Sequence, residues 1–154
     1  MKKCRDFRMS LKNALFGIYA AFRTERNMRF HFAIANLIVI FAYFYKLARF
    51  EWALLMLAIC GVMVAELFNT AIEKAVDTAT KEYNENARIA KEVAAGAVLF
   101  TAFFAVLIGF FLFFDVERIL KTLSYIFTDP VILIPCLGIG IVDVLFVIFG
   151  GKKK

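Results

Sequence analysis

Apolar residues fall in four long runs, at 30–45, 52–72, 93–114 and 131–149, and the blocks between them hold most of the charge. A helix needs roughly 20 mainly apolar residues to cross a bilayer core, where the backbone must satisfy its own hydrogen bonds. The pattern therefore predicts four spanning helices. The first run, between Arg29 and Lys46, is short for the task, so its helix is expected to begin before Glu25. Upstream, Leu11, Leu15, Ile18 and Phe22 recur at helical spacing in a basic segment too short and too charged to cross. This reads as a helix lying in the membrane interface. Ala and Glu in the polar stretch 73–92 favour helices that continue past the membrane surface. The connection 115–130 ends in Asp129-Pro130 and reads as a linker closed by a turn.

Composition agrees with this reading. Hydrophobic residues make up 62% of the chain, 19 of them Phe, more than one soluble core of 154 residues could hide. The net charge of +6 does not point to nucleic acid, because its distribution follows topology. Lys and Arg number eight through Arg29, four in 73–92 and three in the tail, but two each in 46–51 and 115–130. By the positive-inside rule the N-terminus, the 73–92 segment and the tail then face the cytoplasm. The three cysteines, Cys4, Cys60 and Cys136, stand far apart without metal-ligand spacing and read as free thiols. No convincing leader is read, since Arg23, Glu25, Arg26 and Arg29 directly follow the apolar stretch 14–22.

A polar stripe begins inside the second span, where it does not suit lipid, and ends in the polar segment beyond it. Glu66, Asn69, Glu73 and Asp77 lie at i, i+3, i+7 and i+11. At about 100° per residue they fall within an arc of about 80°, one face of one helix, and cover about 16 Å of its length. A carboxylate inside a span costs about 2.5–3.5 kcal/mol on insertion scales and usually faces a protein interior or a ligand. A polar seam between helices is the plain alternative, but three acids in line repel one another unless a cation sits among them. Asp77 equally reads as a solvated position. Glu25 and Arg29 precede the first span at i, i+4, where an intrahelical ion pair is the simple reading. Lys91-Glu92 stands at the mouth of the third span, where a membrane-surface anchor is the simple reading.

Together these sets bring acids and bases from three segments to one end of the spans. Clustered carboxylates suit Mg²⁺, and Lys and Arg suit phosphate oxygens. Glu66, the deepest acid, stands where a lipid headgroup can reach and is a candidate general base. Phosphoryl transfer from ATP to a lipid hydroxyl needs this layering of parts. The soluble P-loop signature G-x-x-x-x-G-K-[ST] is absent from the sequence. A small ion or proton carrier and a structural membrane subunit are the rival classes. A carrier would spread ionisable residues through the bilayer depth, whereas those of the first three spans gather at one end.

Three motifs resemble the prokaryotic diacylglycerol kinase family, which includes the undecaprenol kinases. Ser10-x-Lys12-x-Ala14-x-x-Gly17-Ile18 leads into Glu25-Arg26-Asn27-x-Arg29-x-His31. Glu66-Leu67-Phe68-Asn69-Thr70-Ala71-Ile72-Glu73-x-x-x-Asp77 is long and specific. Ala90-Lys91-Glu92-x-Ala94-Ala95-Gly96-Ala97-Val98 opens the third span. The resemblance covers about residues 10–114. It implies an all-α membrane protein with an N-terminal surface helix and three spans, working as a homotrimer in the bacterial plasma membrane. Residues 1–114 would form that kinase-like domain, and 115–154 a linker, an additional fourth span and a basic tail. The family implies Mg-ATP as donor and a lipid alcohol as acceptor, undecaprenol first and diacylglycerol second.

Residue by residue, the resemblance implies Glu66 as catalytic base and Glu25 and Glu73 as magnesium ligands. Asn69 and Lys91 would orient the phosphates. Glu82 and Tyr83 match a nucleotide-contacting pair, and Asp77 and Glu92 would complete the nucleotide side. Position 92 is Glu where the family usually has Asp, and Asn84 replaces a commoner His. Asp143, in the fourth apolar run, is expected to be a helix-contact or near-surface acid rather than a catalytic one.

Overall fold

The computed structural model describes residues 7–151, so Cys4 and the terminal lysines lie outside the described residues. Six helices follow in order: α1 (Phe7–Thr24), α2 (Arg26–Tyr45), α3 (Arg49–Ala79), α4 (Glu85–Leu112), α5 (Val116–Thr128) and α6 (Pro130–Phe149). Four of them, α2, α3, α4 and α6, are long and apolar enough to cross a membrane. Large apolar side chains stay exposed along them, among them Phe100, Phe103, Phe110 and Phe111 of α4. Such surfaces require lipid or another apolar cover. The chain is a multi-pass membrane protein.

Two expectations change. The helix of the first span does not reach back past Glu25. Glu25 has extended backbone, φ −102° and ψ 120°, and α2 starts at Arg26. Thr24 Oγ1 lies 3.0 Å from the Ala20 carbonyl and 2.7 Å from Glu25 Oε1. Local side-chain bonds of this kind compete with helical continuation. Twenty residues from Arg26 are nevertheless enough to span.

The connection 115–130 is also not a plain linker, because most of it is α5. Its first turn is capped by Asp115, whose side chain accepts from the Arg118 N–H at 3.0 Å. Thr122 and Ile126, one turn apart, are its buried face. The turn at its end is as expected. Asp129 caps α6 by accepting from the Val131 N–H at 2.9 Å, with Pro130 in the first helical position.

Side-chain contacts fix the two ends of the bundle. At the far end, Ala42, Tyr45, Leu47 and Leu55 form a buried cluster with Leu112, Phe113 and Ile119 packed on it. Lys46 there takes the left-handed conformation, φ 59°, and Arg118 donates to its carbonyl at 2.7 Å while lying over the Tyr45 ring. At the other end, Arg29 of α2 joins the end of α1 to the end of α6, and Lys74 of α3 joins Glu25 at the α1–α2 corner, with the α3–α4 connection on the same side. Hence α2 and α6 run antiparallel, as do α3 and α4, and the fourth span brings the chain back to the end where it began. The apolar residues Leu11, Leu15 and Ile18 of α1 remain exposed, with only Ala21 buried.

Candidate active site

The polar stripe of α3 descends from a buried level to the surface. Glu66, Asn69 and Thr70 are buried, with Glu66 only 2% exposed. Glu73 is half-buried and Asp77 exposed. Burial at one end and solvent at the other follow from the i, i+3, i+7, i+11 spacing on a helix that runs out of the bundle.

Within the stripe, Asn69 Nδ2 donates to Glu73 Oε1 at 3.1 Å. Glu66 Oε2, Asn69 Oδ1 and Thr70 Oγ1 are buried without a hydrogen-bond partner among the described residues. Unsatisfied buried acceptors cost about 1–3 kcal/mol each, so three within about one turn of α3 leave room for an outside donor or cation. Glu25 and Glu73 stand close enough to act electrostatically on Glu66. Three carboxylates from two segments thus gather at one end of the bundle.

Glu25 reaches this cluster because the α1–α2 corner turns there. Its Oε1 accepts from Lys74 Nζ at 3.3 Å, joining the corner to α3. The ion pair expected between Glu25 and Arg29 is not made. Arg29 turns instead to backbone carbonyls, donating to Phe22 at 2.8 Å and Val147 at 3.4 Å. Once α1 ends at Thr24, the two residues no longer share a helix, since Arg29 lies in α2. Lys74, beside the acid stripe, could not be paired from the sequence because its partner is 49 positions away.

The α4 residues occupy the rim. Lys91 Nζ pairs with Asp77 Oδ1, which accounts for the surface end of the stripe. Glu92 accepts from Arg88 at 2.5 Å rather than facing Lys91's partner. Tyr83 is exposed in the α3–α4 connection and donates to Glu85 Oε2 at 2.6 Å. Glu82 takes part there through its carbonyl, which accepts from Thr80 Oγ1 at 3.1 Å. Lys91 and Asp77 therefore join the acid cluster's helix, while Glu82, Tyr83 and Glu92 remain on the outer edge.

An apolar cavity of about 560 Å³ lies between α2, α3 and α4. Its walls include Ile34, Ile38, Ile59, Val62, Met63 and Val106, and among the described residues His31 is the only polar one lining it. Val62, in the cavity wall, and Glu66 are one helical turn apart on one face of α3. Among the described residues, no three His, Cys, Asp or Glu side chains form a preformed metal cage. Mg²⁺ takes one or two carboxylates together with substrate phosphates, and Glu25 and Glu73 beside the unpartnered Asn69 oxygen fit that donor chemistry.

A deep carboxylate one helical turn from an apolar cavity, with acids and bases nearby on a helical membrane scaffold, suits a membrane enzyme acting on an amphiphile. Residues 12–113 match the family described as prokaryotic diacylglycerol kinase, and the chain belongs to that family. It is 40% identical over 107 residues to an undecaprenol kinase of Bacillus subtilis, covering 70% of this chain and 87% of that protein. It is 42% identical over 102 residues to a diacylglycerol kinase of Synechocystis, covering 66% of this chain and 58% of that longer protein. A diacylglycerol kinase of Helicobacter pylori is 34% identical over 110 residues, covering 69% of this chain and 85% of that protein. No solved structure matches the chain. The chain is a lipid kinase, an enzyme class that takes its phosphoryl group from ATP. The carrier and purely structural readings fall with this assignment, and α5 and α6 lie beyond the matched segment.

Proposed function

We propose that the chain phosphorylates undecaprenol with Mg-ATP at the cytoplasmic face of the bacterial plasma membrane, as a homotrimer. The observation that carries this reading is Glu66, buried with Oε2 unpartnered one turn beyond the apolar cavity. A long isoprenoid or acyl chain fits such walls, and its hydroxyl then meets the carboxylate. Glu66 accepts the hydroxyl proton as the oxygen bonds to the γ-phosphorus. The bond from that phosphorus to the β,γ-bridging oxygen breaks, and ADP leaves.

Glu25 and Glu73 would hold magnesium, whose bound charge neutralises the phosphates in such reactions. Asn69 and Lys91 orient phosphate oxygens, Lys91 exchanging its Asp77 partner for the nucleotide. Glu82, Tyr83 and Glu92 contact the nucleotide from the rim. The clustering of Lys and Arg at this end supports its cytoplasmic orientation.

Undecaprenol is put first because the relative named undecaprenol kinase is matched over 87% of its length. Diacylglycerol is the second reading, favoured by the family description and the diacylglycerol kinases among the relatives. The test is purified protein in detergent with labelled Mg-ATP, offered both lipids in parallel. Faster transfer to undecaprenol is expected. Preference for diacylglycerol would select the second reading, and transfer to neither by folded protein would overturn both.

A further inference from the structure

Arg29 is a buried cation, 6% exposed, near the start of a membrane helix, and it has found two carbonyls. Both stand at helix C-termini. The last four carbonyls of a helix lack an internal partner, and the helix dipole places negative charge there. In the last turn of α1, the Ala21 carbonyl is taken by the Glu25 N–H at 2.8 Å, and the next, Phe22, accepts from Arg29 Nη1 at 2.8 Å. In the last turn of α6, the Phe146 carbonyl is taken by the Gly150 N–H at 2.9 Å, and the next, Val147, accepts from Arg29 Nε at 3.4 Å. One guanidinium thus caps two helices at equivalent positions. Its rigid fork can serve both, whereas an ammonium is a single point.

Other contacts make the same three-helix junction. The Phe22, Phe32 and Phe146 rings, one each from α1, α2 and α6, meet with centroids 5.3, 6.2 and 6.3 Å apart. Farther along the α2–α6 seam, Asn36 Nδ2 donates to Asp143 Oδ1 at 3.0 Å and fixes its register. Gly151 lies so close to Arg29 that an added Cβ would stand 2.8 Å from Nη2.

We propose that α6, which lies beyond the family-matched segment, is a brace for the catalytic corner, with Arg29, Phe146 and Gly151 as positioning residues. Through Arg29, the end of α6 holds the last turn of α1, and that turn is followed at once by Glu25. The fourth span therefore sets where Glu25 stands against α3. The link to catalysis rests on the role proposed above for Glu25; the mechanical brace does not.

The full chain, with its three cysteines replaced by serine and Ala21→Cys added, provides both tests. Ala21 is buried, so a water-soluble maleimide reports whether α1 is docked. Gly151→Val, Phe146→Ala and Arg29→Lys are each expected to raise the labelling rate about tenfold, as a local opening would. On the unlabelled protein without Ala21→Cys, they should lower kcat about tenfold and raise the magnesium needed for half-maximal rate about fivefold. Gly151→Val on top of Arg29→Lys should add little, because both act through one guanidinium. Val144→Ala, on an exposed α6 position, should leave labelling and rate at parental values.

Parental labelling in all three brace variants would overturn the proposal, as would fully multiplicative effects of Gly151→Val and Arg29→Lys. If Gly151→Val does not fold, Arg29→Lys decides by the same two readouts. Should the parental protein phosphorylate neither lipid, the functional reading fails while labelling still judges the brace. Increased labelling with unchanged rate and magnesium dependence would overturn the catalytic link alone.

Discussion

Asn36 and Asp143, 107 positions apart, share a hydrogen bond of 3.0 Å between α2 and α6, and Asp143 Oδ2 is buried without a partner. The acid of the fourth span is therefore a helix contact. Asn36→Leu removes the donor and leaves both carboxylate oxygens unsatisfied. A loss of about 1–3 kcal/mol is expected. Asn36→Leu with Asp143→Leu should recover most of it, because an apolar pair needs no partner. Thermal unfolding of both variants in one detergent checks the order.

Glu66→Gln keeps the shape of the buried side chain and removes its capacity to accept a proton. Turnover should fall by about 10²–10⁴. Equilibrium nucleotide binding should change little, since Glu66 faces the lipid hydroxyl in the proposed arrangement. Turnover equal to the parent would remove the general-base role.

Glu73→Gln retains an oxygen to accept from Asn69 Nδ2 and loses the negative charge. The magnesium concentration at half-maximal rate should rise about tenfold, and high magnesium should restore part of the rate. A titration at fixed ATP measures this. An unshifted midpoint with a lowered plateau would assign Glu73 elsewhere.

Arg118 lies at the far end of the bundle, bonded to the Lys46 carbonyl and stacked on Tyr45. Arg118→Ala should cost about 1–2 kcal/mol in unfolding free energy, from the lost capping bond and the cation–π contact. Its KM for ATP and kcat per folded molecule should match the parent. A shifted KM would indicate coupling from that end to the active site.

The sequence made the long helices legible because lipid admits few alternatives. An apolar run of sufficient length must satisfy its backbone internally, so 52–72, 93–114 and 131–149 can be read as spans without a tertiary model. The stripe was legible for a similar reason, since Glu66, Asn69, Glu73 and Asp77 share a face by helical periodicity alone. Helix α5 was harder to see. Its signals, a capping Asp115 and the pair Thr122 and Ile126, are those of an ordinary amphipathic helix, and the terminal Asp-Pro drew attention to the turn instead.

The sequence by itself thus determined the number of spans, the face that carries the acids and the family. Only the tertiary structure decided the partners. Glu25 pairs with Lys74 across 49 positions, and Arg29, read as Glu25's ionic neighbour, bonds a carbonyl of α6 across 118. Periodicity describes one helix at a time. Which buried acceptor a guanidinium satisfies depends on where other helices end, and that follows only from their packing. The deep position of Glu66 was visible in its spacing. Its unpartnered oxygen and the cavity one turn away became visible only once α2, α3 and α4 were brought together.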